Sequence, residues 1–262
     1  MRIIDAHAHI FPGKIAVKAS ESIGNFYGIE MFSDASAESL IKSEQELGAE
    51  KCLVCSSAVS ASQVESINSF IAAECQAHPM FVGLAAMHKD YEDFENELDR
   101  AISMGLRGVK FHNDMQRFDI DDPAMMPIYR AMADRKMIVL FHMGDARYDF
   151  SAPSKMVKIA QEFPDLSIIG AHFGGFSRWS ESIFNPKLDN VYYDTSSSLF
   201  MLDKTTAARF IDHFGPERFF FGSDFPMWKP AKEYERFMNL ELGDDVNRMI
   251  LYDNFAKLFK LQ

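Results

Sequence analysis

The chain has 262 residues, 47% of them hydrophobic and 25% charged, with a formal net charge of −11 from 27 basic and 38 acidic side chains. These proportions set aside disordered and fibrous classes, and the acidic balance opposes nucleic acid and anionic membrane surfaces. No uninterrupted apolar run approaches the ~20 residues that span a bilayer, and no signal-peptide pattern is visible, so a cytoplasmic protein is expected.

The opening stretch, Met1-Arg-Ile-Ile-Asp-Ala-His-Ala-His-Ile10, is apolar and β-branched and predicts a strand over 2–10, closed by Phe11-Pro12-Gly13. Side chains two apart on a strand share a face, so Asp5, His7 and His9 point together, and two imidazoles so placed can bind one metal ion. The irregular segment 13–35 reads as a long loop over the mouth of the fold, of the kind that acts as a lid. A helix over 37–47 then precedes a strand over 51–57 that contains Cys52-Leu-Val-Cys55. Its spacing is that of a redox motif. Within a strand, however, positions three apart face opposite sides, so the redox reading is set aside. Further strands are expected over 80–87, 106–112, 137–143, 166–172, 191–196 and 218–224. Helices are expected over 64–77, 94–104, 125–135, 154–163 and 204–214, with more helix in 232–261.

About eight strands alternating with helices, in a chain close to the ~250 residues typical of that architecture, predict a single-domain (β/α)8 TIM barrel over 1–262. A doubly wound open sheet is the alternative. It would bring a Gly-rich phosphate loop, and neither GxGxxG nor GxxxxGK[ST] occurs. Exposed barrel helices often pair, which makes a homodimer the expected assembly.

Polar residues interrupt the strands at their carboxyl ends, the face on which barrel enzymes carry their chemistry. They are His7 and His9, Lys110 and His112, His142, His172, Asp194 and Asp224. In Gly108-Val-Lys-Phe-His112, alternation puts Lys110 and His112 on one face, with Lys110 directed inward, where a lysine is costly unless paired, metal-linked or modified. In Phe219-Phe-Phe-Gly-Ser-Asp224 the same rule groups Phe220, Gly222 and Asp224, and Gly222 leaves room beside the carboxylate. Three imidazoles and a carboxylate suit zinc first and manganese, iron or cobalt next, with too few oxygens for calcium. Such an ion lowers the pKa of a bound water towards ~7 and polarises a carbonyl oxygen. Lys110, His112, Arg147 and Arg178 would favour a small carboxylate substrate in so acidic a protein. Loop salt bridges such as Asp145 with Arg147 are the alternative for the arginines.

With these residues in place, the sequence resembles the amidohydrolase superfamily, in its amidohydrolase-related branch of metal-dependent hydrolases and non-oxidative decarboxylases. The likeness spans nearly the whole chain. It rests on Asp5-Ala-His7-Ala-His9, Gly108-Val-Lys-Phe-His112, Leu140-Phe-His142, Ile169-Gly-Ala-His172-Phe-Gly-Gly175, Phe221-Gly-Ser-Asp224-Phe-Pro226 and Asn254-Phe-Ala-Lys-Leu-Phe259. The resemblance implies that His7, His9, His142 and Asp224 hold one divalent metal, most often zinc, and that His172 hydrogen-bonds substrate or the bound water. In dinuclear members the strand-four lysine is carboxylated and bridges two metals, and Gly108-Val-Lys110 is similar to that setting. The branch is usually mononuclear, which makes Lys110 and His112 binders of a substrate anion. The expected chemistry is hydrolysis of an ester, lactone or amide, with Asp224 taking the proton and His172 and Lys110 steadying the oxyanion. Decarboxylation of an aromatic or enol acid is the other expectation. A metal-stabilised structural barrel is the non-enzymatic rival, and ligands drawn from three separate strands at the mouth favour chemistry over it.

Overall fold

The computed structural model describes residues 1–261, and Gln262, the last residue of the expected domain, lies outside the described residues. The strands are β1 (Ile4–His9), β2 (Lys51–Cys55), β3 (Phe81–Gly83), β4 (Ala85–Ala86), β5 (Gly108–Phe111), β6 (Ile138–Phe141), β7 (Ser167–Gly170), β8 (Val191–Asp194) and β9 (Phe219–Phe220). Each falls inside a segment predicted as strand, and β3 and β4 are the two halves of the one expected over 80–87. The helices are α1 (Gly13–Tyr27), α2 (Ala37–Leu47), α3 (Val64–Ala77), α4 (Phe94–Ser103), α5 (Asn113–Gln116), α6 (Met126–Asp134), α7 (Pro153–Glu162), α8 (Trp179–Ser182), α9 (Lys204–Phe214), α10 (Pro230–Met238), α11 (Asp244–Arg248) and α12 (Asn254–Leu258). The boundaries of α2 and α9 follow from capping. Ser36 and Asp203 accept the backbone N–H groups of Ser39 and Thr206, and Gly48 closes α2 at φ 79°. Among the described residues no helix is long and apolar enough to cross a membrane.

The chain falls into two compact units. The first comprises Met1–Cys55, Ala73–Val82 and the chain from Thr195 onward. Here β1 pairs in parallel with β2, from Ile4 opposite Lys51 to His9 opposite Cys55, and the register shifts between Asp5 and Ala8. Such a bulge re-aims side chains, as bulges beside functional sites commonly do. On its other edge β1 meets the segment after β9: Ala6 N–H donates to Phe221 O at 2.8 Å, Asp224 N–H to His7 O at 2.8 Å, and His9 N–H to Phe225 O at 2.7 Å. His7, His9 and Asp224 are thus held side by side by main chain. Phe220 and Phe221 lie buried beneath them, with ring edges against Phe255, Tyr234 and Phe237.

The expected loop over 13–35 is mostly helix, because α1 occupies Gly13–Tyr27. Its buried face is Ala16, Ser20 and Gly24, one small residue per turn. The segment also carries apolar residues at helical spacing, Ile15, Ala19, Ile23 and Phe26, a signal that Gly13, Gly24 and Gly28 obscure in the sequence.

The second unit comprises Ser56–Ala72 and Gly83–Asp194. Its parallel strands run in the order β4, β5, β6, β7, β8. Lys110 pairs with Leu140 and Phe111 with Phe141, so β5 and β6 run in register to their carboxyl ends. Gly108 is required there, since a Cβ would lie 2.1 Å from the Ile138 carbonyl oxygen. Phe111 stacks on Phe141 with centroids 5.9 Å apart, and the buried Tyr129 meets both edge-on while donating its hydroxyl to Ile120 O at 2.8 Å.

Candidate active site

In the first unit three donor atoms converge. His7 Nε2 and His9 Nε2 are 3.2 Å apart, and Asp224 Oδ1 lies 3.6 Å from the former and 3.3 Å from the latter. A tetrahedral ion with bonds of ~2.0 Å has donor-to-donor edges of about 3.3 Å, so the three atoms fit one face of such a polyhedron. The opposite ring nitrogens are anchored, His7 Nδ1 by Ser196 Oγ at 3.1 Å and His9 Nδ1 by Cys55 Sγ at 3.5 Å. That arrangement fixes which nitrogen faces the shared point. Burial opposes a charge on His9, but Cys55 and Asp224 overcome it and hold the imidazole up to about 9. A site so biased towards positive charge when bare has carboxylate and thiol ready to stabilise a cation.

Main-chain geometry reinforces the placement. Asp5 Oδ1 accepts N–H from His7 at 3.0 Å and from Ser223 at 2.9 Å, tying β1 to the segment that carries Asp224. The tight space at Gly222 is against His7 and Ser196 and not only beside the carboxylate: a Cβ there would meet His7 Cβ at 3.0 Å and Ser196 Cβ at 3.2 Å. Asp224 and Ser197 hold φ values of 61° and 43°, an uncommon backbone region for such residues that concentrates at functional sites. Deeper in, Asp5, Glu44 and Cys52 bring ligand atoms within 4.8 Å of one another. Burial pushes Asp5 up to about 6, and burial with the neighbouring Asp5 holds Glu44 well above the usual carboxylate range. Cys52 and Cys55 are both free thiols, one beside this acidic pair and the other beside His9.

The second unit gathers a different set. His142 Nδ1 lies 3.0 Å from His172 Nε2, and the His142 ring stacks on His112 with centroids 4.0 Å apart and planes 7° from parallel. His112 Nδ1 accepts the Met115 N–H at 3.3 Å, which places the proton of a neutral ring on Nε2 and makes that atom a donor. Lys110 is wholly buried on β5. His172, at φ 60°, is fixed through its main chain, its N–H donating to Asp194 Oδ1 at 3.0 Å and its carbonyl accepting Trp179 Nε1–H at 2.9 Å. Asp194 is therefore a backbone anchor. Arg147 forms a bidentate pair with Asp145, with contacts of 3.0 and 2.6 Å. Arg178 pairs with Glu181 at 2.7 Å through two nitrogens and with Asp149 at 2.9 Å. Both arginines line a surface pocket of about 460 Å³.

Asp114 is a residue the motifs did not single out. Its Oδ2 accepts the Ser151 hydroxyl at 2.5 Å and lies 3.6 Å from His142 Nε2, while Oδ1 is buried without a hydrogen-bond partner. Burial holds its carboxyl up to about 6. Its only local signal is a polar residue three places past the end of β5. Ser196 and Ser197 carry no local signal either, and Cys55, noted only for its redox spacing, instead backs His9, since these roles come from contacts across the fold.

The sequence matches the family described as Amidohydrolase over residues 4–261. No curated protein matches it. Among solved structures, a TIM-barrel protein of Bordetella bronchiseptica aligns with a TM-score of 0.77 at 20% identity, covering 99% of both chains. A dihydroxybenzoic acid decarboxylase of Polaromonas sp. JS666, with bound manganese and the inhibitor 2-nitroresorcinol, aligns at 0.76 with 16% identity over 99% of this chain and 97% of that one. A Pseudomonas putida protein assigned as a 2-pyrone-4,6-dicarboxylic acid hydrolase aligns at 0.71 with 19% identity, covering 99% and 97%. These likenesses give the fold as a parallel-stranded TIM barrel, and the match across the described chain gives the family: the protein belongs to the amidohydrolases.

Proposed function

We propose that the protein is a metal-dependent hydrolase acting on an ester, lactone or amide bond of a small, carboxylate-bearing molecule. The convergence of His7 Nε2, His9 Nε2 and Asp224 Oδ1 carries this reading. The family motifs add His142 as a further donor, and zinc suits the set best, ahead of manganese, iron or cobalt. When bound, such an ion acidifies a water and polarises the scissile carbonyl. Side chains do the rest. Asp224 takes the proton of the attacking water, and His172 donates to the developing oxyanion. Lys110 and the Nε2–H of His112 bind the substrate carboxylate, with Arg147 and Arg178 as outer cations. The protein works in the cytoplasm as a homodimer with reduced thiols.

A second reading, non-oxidative decarboxylation of an aromatic or enol acid, draws support from the likeness to the dihydroxybenzoic acid decarboxylase. There Asp224 or His172 would protonate carbon as carbon dioxide leaves. Protein reconstituted with zinc or manganese, offered lactones, amides and aromatic carboxylates, separates the two. Hydrolysis without carbon dioxide release is the expected result, carbon dioxide release establishes the second reading, and turnover of none by metal-loaded protein removes both.

A further inference from the structure

Beyond the atoms that face the cation, Asp224 has a second carboxylate oxygen, and the first unit gives it a dedicated partner. Ser197 donates its hydroxyl to Asp224 Oδ2, while Trp228 Nε1–H donates to Ser197 Oγ at 2.9 Å. An indole nitrogen only donates, so the serine must accept from Trp228 and spend its own hydrogen elsewhere. Two acceptors lie within reach, Asp224 Oδ2 and the Met227 sulfur at 3.4 Å. A thioether is a weak acceptor and a carboxylate a strong, charge-assisted one, so the hydrogen goes to Asp224.

We propose that Trp228 and Ser197 are positioning residues that form a one-way hydrogen-bond relay, from indole N–H through serine hydroxyl to Asp224 Oδ2, and so reserve Oδ1 for the cation. The inference rests on the reading of Asp224 as a metal ligand. The relay is braced at both ends. The Trp228 ring lies against Phe200 with centroids 4.7 Å apart, the Arg236 guanidinium sits 4.9 Å over its face, and Arg236 is itself paired with the buried Glu233. At the other end Ser197 and Asp224 both hold left-handed backbone, at φ 43° and 61°, which brings hydroxyl and carboxylate together. The consequence is an acid that ligates through one oxygen, with its plane fixed before any ion arrives.

The test is a double-mutant cycle read by metal affinity, using competition between the purified protein and a chelating indicator for zinc. Ser197→Gly removes the hydroxyl without straining a position at φ 43°, and Trp228→Phe removes the N–H while keeping the ring packing. Loss of an outer-shell partner costs about 10–100-fold in metal affinity, so Ser197→Gly is expected to fall in that range and Trp228→Phe to fall less. In the Ser197→Gly background, Trp228→Phe is expected to have no further effect, because its route to Asp224 through Ser197 is gone. Additive losses, or affinities equal to wild type in both single variants, overturn the relay. His7→Ala serves as the reference: if it too binds zinc like wild type, the metal-site reading itself has failed, whereas loss of zinc in His7→Ala alone leaves that reading intact and removes only the relay. Thermal melting of each variant, expected near wild type without metal, separates a positioning effect from loss of fold.

Discussion

The two units build their histidine clusters on opposite principles. In the first, His7 and His9 turn nitrogens towards a common point and each is held from behind, by Ser196 and Cys55. In the second, His142 and His172 turn nitrogens towards each other, and His112 stacks flat on His142. Lone pairs aimed at one point hold a cation. Imidazoles in mutual hydrogen bonding, beside a carboxyl such as Asp114, hold and pass protons. On the proposed reading the first cluster holds the cation, with His142 as a further donor, while His172 and His112 serve substrate and protons.

The sharpest way to break this contrast is at His172. His172→Asn, chosen because Asn tolerates φ 60°, is expected to lower kcat by about 10²–10⁴-fold while metal content stays at the wild-type level. A variant that loses metal in step with activity would erase the distinction between the clusters.

Gly222→Ala comes next. Its new Cβ would press on His7 and Ser196 at 3.0 and 3.2 Å, with an expected cost of about 1–3 kcal/mol. Urea unfolding measures that loss, and zinc affinity should fall with it because His7 is displaced. Unchanged affinity would mean that the His7 ring position is not set by this contact.

In the second unit the corresponding probe is pH. Asp114 is held up to about 6 by burial, above an unfolded value of ~4. A raised carboxyl contributes stability below the unfolded value and loses it as pH rises through the folded one. Asp114→Asn removes that dependence, so between pH ~4 and ~6 the variant should lose about 1–2 kcal/mol less than wild type. Parallel stability curves for the two proteins would show that Asp114 titrates normally.

Smallest is the effect at the arginines. Each is already paired with carboxylates, so Arg147→Ala is expected to cost only about 0–1 kcal/mol in stability. If these cations also attract substrate carboxylate, KM rises with kcat unchanged; an unchanged KM makes them loop salt bridges and nothing more.

How much of this was legible in the sequence depends on the range of the signal. Strand alternation is local, so parity alone brought His7 and His9 to one face and marked Gly222 as a place where space matters. The helices expected between 37 and 214 were legible because their periodicity is equally local, whereas the strands are shorter than expected, β9 covering only Phe219–Phe220 of the segment 218–224. The packed face of α1 was not legible, because two of its three buried members, Ser20 and Gly24, are not apolar. Nor were the roles of Ser196, Ser197, Cys55, Glu44 and Asp114. Each matters through a residue distant in sequence, and a serine or a buried carboxyl looks the same in a string whether or not it props up a histidine.

The most direct test of the first cluster's proposed role in holding a cation is elemental analysis of protein dialysed against zinc, for wild type and for His7→Ala, His9→Ala and Asp224→Ala confirmed to be folded. The expected result is about one ion per chain in wild type and almost none in the three variants. Wild-type protein without metal, or variants that retain it at equal affinity, would contradict the assignment.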